Sequence, residues 1–140
     1  MKKAVVFLLS MLLLCSCEEN LTETANKKTV TFINGAKDAD VWILPETEEN
    51  LKTTVWGTAT LKDIKTDESR DALLSEAGDD GLYILRMIDA DSIYYSADGI
   101  TLKEGWTVQI KGDDLYSVTV EVTDENGAFI STHEVFAASL

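Results

Sequence analysis

From Thr29 onward, apolar and polar residues alternate with a period of two, the pattern of strands that bury one face. Val30 and Phe32 alternate with Thr29 and Thr31, and Asn34-Gly35 supplies a turn. Val41 and Ile43 alternate with Trp42 and Leu44 until Pro45 and the acidic run 46–50 stop the strand. Across 51–62 the pattern predicts a further strand, with Val55, Gly57, Ala59 and Leu61 on one face and Trp56, Thr58 and Thr60 on the other. Positions 82–88 are apolar on both faces except at Arg86, which predicts a central strand, and a short strand follows at 93–95. Ile100, Leu102, Trp106, Val108 and Ile110 share one parity, with Glu104-Gly105 bending the run, so Trp106 is read as core. Tyr116, Val118, Val120 and Val122 form the cleanest alternation in the chain. Asp124-Glu125-Asn126-Gly127 then places Asp at the first and Gly at the last position of a type I turn, predicting a hairpin with a glycine bulge to 128–136. Only 66–78 breaks the alternation: Ser69 as N-cap, Leu73 and Leu74, and Gly78 as C′ residue predict a short helix near 69–77.

About eight or nine short strands, roughly 8–12 residues apart and separated by turn signals, indicate an all-β chain folded as an antiparallel β-sandwich. Its general kind is immunoglobulin-like or transthyretin-like, with at most one short helix. No helix recurs between strands, which excludes a parallel α/β sheet.

The segment before this domain reads as an address. Lys2 and Lys3 precede an apolar run at 4–15, too short for the about 20 residues that span a bilayer and the right length for a signal-peptide core. Leu14-Cys15-Ser16-Cys17 resembles the lipobox of bacterial lipoproteins, with Leu at −3, a small residue at −1 and then the invariant cysteine. The resemblance implies cleavage after Ser16 and thioether linkage of Cys17 to diacylglycerol. N-acylation, with palmitate as the expected fatty acid, would follow. Cys15 does not fit that role, because Leu14 precedes it. No other cysteine is present, so no disulfide competes for Cys17. The organisation expected is a signal peptide at 1–16, a lipidated tether at 17–28 and a single sandwich domain at 29–140. The tether has one large apolar residue, Leu21, and cannot offset its own ordering entropy. Glu18-Glu19 resembles, in weak form, the surface-export signal of Bacteroidota lipoproteins. The expected location is the bacterial cell envelope, at the outer membrane, with either face open.

A second resemblance lies within the domain. Val41-Trp42-Ile43-Leu44-Pro45, Trp56-Gly57, Leu61, Glu68-Ser69, the strand at 82–89, and Gly99-Ile100 with Leu102 are similar to a pattern recurring in small secreted bacterial β-domains. It covers roughly 41–110, with Asp67 where the pattern prefers Gly, and it implies a sandwich without a defined activity.

Charge narrows the function classes. Twelve basic against 25 acidic side chains give a net charge of −13 over 140 residues, and loss of Lys2 and Lys3 with the leader raises the acidic excess to 15. Nucleic acid is a poor partner for such a chain, since phosphate contacts need clustered Lys and Arg. His133 is the only imidazole, no Gly-x-Ser-x-Gly occurs, and enzymatic activity is not expected. No cofactor is expected. Paired acids recur in loops, and Asp79-Asp80 with Asp89 and Asp91 flank the central strand, which makes these four the candidates for Ca²⁺. None matches the calcium-loop spacing, and solvated surface acids are the plainer reading. Asp91-Ser92-Ile93 resembles an O-glycosylation motif of the Bacteroidota.

Trp42 and Trp56 carry the most functional information. Both lie on the parity opposite Val41, Ile43, Val55 and Ala59. Exposed on neighbouring strands they would make a stacking platform for a sugar ring or a partner's apolar side chain, whereas core packing is the ordinary fate of tryptophan. The expected function is therefore a lipid-anchored, non-catalytic binding module for a glycan or an envelope protein. The first alternative is a structural or accessory subunit using an exposed edge strand. A carboxylate-based hydrolase is the remote one.

Overall fold

The computed structural model describes residues 28–54, 56–112 and 118–139. The leader, Cys17, most of the tether, Val55, Tyr116 and Asp113-Asp114 lie outside the described residues. Ten strands form two five-stranded sheets: β1 (Lys28–Asn34), β2 (Ala39–Pro45), β3 (Leu61–Ile64), β4 (Ser69–Leu74), β5 (Leu82–Asp89), β6 (Ile93–Thr101), β7 (Thr107–Lys111), β8 (Thr119–Thr123), β9 (Phe129–Glu134) and β10 (Phe136–Ser139). One sheet has the order β4-β1-β7-β8-β9 and the other β10-β6-β5-β2-β3. Every pairing is antiparallel except β1 with β7. This is the β-sandwich that the period-two pattern predicts. Among the described residues no helix is long and apolar enough to cross a membrane.

The core fills the space between the sheets. Val30, Phe32, Val108, Ile110, Val120 and Val122 face it from the first sheet, and Val41, Ile43, Leu85, Met87 and Ile100 from the second. β5 is the middle strand of its sheet and is buried on both faces, as its apolar run predicts. Its inward side chains Tyr83, Leu85 and Met87 join the core, while Ile84 and Arg86 are buried on the opposite, outer face.

Several expectations are corrected. The stretch expected as a helix near 69–77 is strand β4, where Ala72 and Leu74 are buried and Leu73 points to solvent. Pairing with β1, which sets Ala72 against Val30, outweighs the local capping signal. Gly78 ends no helix: a Cβ there would lie 2.1 Å from the Glu46 carbonyl oxygen, so glycine permits a close backbone crossing. The helix is instead α1 (Glu48–Lys52), inside the acidic run that the sequence reading treats only as a strand stop. Thr47 Oγ1 accepts the Asn50 amide at 3.0 Å, and Glu48 and Glu49 at the start with Lys52 at the end suit the helix dipole. The strand expected at 51–62 shrinks accordingly to β3. Asn34-Gly35 does not close a hairpin, because β1 and β2 belong to different sheets. At the C-terminus the expected partner strand of 128–136 divides at Val135, and the chain passes from β9 in one sheet to β10 in the other.

Candidate functional site

The outer face of the β5 sheet is covered by the connection between β2 and β3. Its start is tied down: the Glu46 amide donates to the Leu82 carbonyl at 2.9 Å, and the Glu46 carboxylate accepts the Gly99 amide at 2.7 Å. After α1 the chain turns back along β2, where Thr60 Oγ1 accepts the Ile43 amide at 3.0 Å. Both tryptophan N–H groups fasten this cover: Trp42 Nε1 donates to the Gly57 carbonyl at 3.2 Å and Trp56 Nε1 to the Thr53 carbonyl at 3.1 Å. What the indoles leave for a ligand is ring surface, not hydrogen-bond donors.

Strand register sets the floor beneath. Trp42 on β2, Arg86 on β5, Ser96 on β6 and Phe136 on β10 lie opposite one another in a single row across the sheet. Asp40, Ile88 and Tyr94 make the next row, with the Asp40 carboxylate accepting the Asp63 amide at 2.7 Å. Trp56 reaches down from the cover and joins them. Its ring meets Trp42 edge-on at 5.2 Å, stacks with Tyr94 at 5.3 Å, and lies 5.3 Å from the Arg86 guanidinium carbon. Cation–π and aromatic contacts of this kind add to area burial, most of all where water is excluded. Beside the cluster opens a cleft of about 680 Å³, walled by Leu51, Thr53 and Thr54 of the cover. That size falls in the range of small-ligand sites.

The structure thus brings Trp42 and Trp56 together, but not as two exposed rings on neighbouring strands. Trp42 is 9 % exposed and packs on the outer face, outside the inter-sheet core; Trp56 is half-buried and lies off any strand. Tyr94 and Arg86 are members that sequence reasoning missed. The signal for Arg86 was present as the one charge in an otherwise apolar central strand. Tyr94 carried none, since its place depends on the β5–β6 register.

The four candidate calcium ligands do not converge. Asp79 and Asp80 occupy a 3₁₀ turn before β5, whereas Asp89 closes that strand, roughly 23 Å away at the usual rise per residue. Asp89 is buried and consumed locally: its carboxylate accepts the Asp91 amide at 2.8 Å, the Ile93 amide at 3.0 Å and the Tyr95 hydroxyl at 2.9 Å. Burial, and then the bond to Asp89, push the Tyr95 phenol well above its ordinary range. Asp91 pairs with Lys37, and Ser92 is exposed in the β5–β6 turn. Among the described residues no group of three or more His, Cys, Asp or Glu is placed to hold a metal ion.

His133 pairs across strands with core-facing Val120, so it faces inward at the edge of its sheet. Its Nε2 lies 3.0 Å from Ser131 Oγ, and burial lowers its pKa while the Asp98 charge opposes that shift. Trp106, expected as core, is half-buried against the core with its Nε1 donating to Glu125 Oε2 at 3.0 Å.

No family model, no curated protein and no solved structure matches the chain.

Proposed function

We propose that this chain is a bacterial envelope lipoprotein, anchored through Cys17, whose sandwich binds a glycan without catalysis. The observation that carries the reading is the cleft of about 680 Å³ bordered by Trp42, Trp56 and Tyr94. Sugars present apolar C–H faces that pack on aromatic surface, and a register-fixed floor keeps that surface in place without the ligand having to order it. The lipobox residues Leu14, Ser16 and Cys17 support the anchor. Several buried acyl chains hold a protein far more firmly than one, at about 0.8 kcal/mol per buried CH₂.

The binding test is a glycan array probed with the full chain in detergent, wild type beside Trp56→Ala and Tyr94→Ala. Binding by the wild type that falls at least tenfold in both variants supports the reading. For the anchor, cells expressing the chain are fed an alkyne fatty acid. Label should appear on the wild type and vanish in Cys17→Ala; label retained in the variant contradicts lipidation at this residue.

A second reading has its own support. Phe129 and Ile130 on β9 and Phe136 on β10 are 63 %, 39 % and 66 % exposed, on two strands that end their sheets. Apolar residues on open edges suit strand addition by a protein partner. In that case Phe129→Lys would abolish capture of the partner while leaving glycan binding intact.

A further inference from the structure

The chain has two arginines, and the fold treats them in opposite ways. Arg70 is paired in full: its guanidinium donates to both Glu68 oxygens at 2.7 and 2.9 Å and to the Lys62 carbonyl at 2.9 Å. Arg86 is more deeply buried, at 6 % exposure, and has no carboxylate partner among the described residues. Its Nε is buried without a hydrogen-bond acceptor, and the ring of Trp56 is what meets its charge. A guanidinium keeps its charge at physiological pH, so a buried one lacking an anion is held at a standing cost.

The surroundings repeat the asymmetry. In a chain with 25 acidic and 12 basic residues, none of the side chains lining the cleft is acidic, while Arg86 and Lys52 are basic. Lys52 is engaged with Glu48 at the exposed rim, so among the described residues Arg86 is the basic side chain of the lining that has no carboxylate partner. The row through Arg86 continues with the Ser96 hydroxyl on one side and Trp42 on the other.

We infer that the ligand of this cleft carries a carboxylate and that Arg86 receives it, which narrows the glycan to one whose sugars bear a carboxylate, as uronic acids do. The inference rests on the glycan reading above. A carboxylate takes parallel hydrogen bonds from a guanidinium, a geometry that matches planar acid to planar fork and that a neutral sugar cannot supply. Aromatic surface beside the cation then packs the sugar's apolar face while Arg86 fixes its acid group.

The test compares each acid with its own neutral form. Binding of trigalacturonate and of a hyaluronan tetrasaccharide to the full chain in detergent is measured by calorimetry and tryptophan fluorescence, beside the methyl ester of each. The expected result is that at least one acid binds, that its ester binds at least tenfold more weakly, and that Arg86→Met brings acid and ester to the same affinity. Equal binding of acid and ester by the wild type overturns the inference and leaves the glycan reading standing, as does binding confined to neutral sugars. Failure of every saccharide, acidic or neutral, overturns both. The ester comparison needs no variant, so it decides the matter even if Arg86→Met fails to fold.

Discussion

At Gly127 the backbone sits at φ +81°, in the turn that joins β8 to β9. Asp124 Oδ1 accepts the amides of Asn126 and Ala128 at 2.8 and 2.9 Å, and the Gly127 amide donates to the Asp124 carbonyl at 3.0 Å. This is the type I turn with a glycine bulge that the four residues 124–127 predict; a separate register shift lies between Val122 and Thr123, where Ile130 is the extra residue of β9. No atom lies within 4 Å of a Cβ built on Gly127, so a substitution there meets backbone strain and not a clash. Gly127→Val should therefore cost about 1–3 kcal/mol and lower the melting temperature by several degrees without unfolding the domain. An unchanged melting temperature would contradict the left-handed turn. Single residues of this kind are legible in sequence because their chemistry is local.

Among the elements, the cover between β2 and β3 is where local and long-range signals part. Thr47 caps a five-residue helix that packs no buried residue of its own, so the cap is a large share of what holds it. Thr47→Ala should cost about 1 kcal/mol. Amide exchange should quicken at Asn50, whose N–H the threonine accepts, while exchange across β5 stays as it was. Equal protection at Asn50 in both proteins would show that the helix does not depend on its cap. The strands were legible because Val30, Phe32, Val118, Val120 and Val122 alternate plainly. The helix α1 escapes a reading by periodicity because a five-residue helix has no room for a 3.6-residue period, and β4, expected as a helix, owes its state to a partner strand about 40 residues earlier. The cleft was half legible. Its tryptophans stood out, but the row that sets Trp42 beside Arg86 exists only in the register of β2 and β5.

For the whole molecule, the two sheets hold a buried core between them, and the second sheet has a further layer outside it. That layer buries Trp42, Ile84 and Arg86 away from the inter-sheet core and makes the middle of the sheet the deepest part of its outer face. A chain with an acidic excess of 13 presents there a cleft lined by aromatic, aliphatic, hydroxyl and basic side chains, with no acidic one among the described residues. Under the proposed anchorage through Cys17, such a domain would hold the proposed ligand at the envelope, with the lipid supplying retention and the cleft supplying selectivity. The cleft beside Trp56 is the proposed sugar site. Its most direct measurement is calorimetric titration of the full chain in detergent with the strongest glycan found on the array, wild type beside Trp56→Ala. Saturable binding by the wild type and at least a tenfold loss in the variant, with the fold retained, are expected. Equal affinity in the two proteins, or no glycan bound by the wild type, would contradict it.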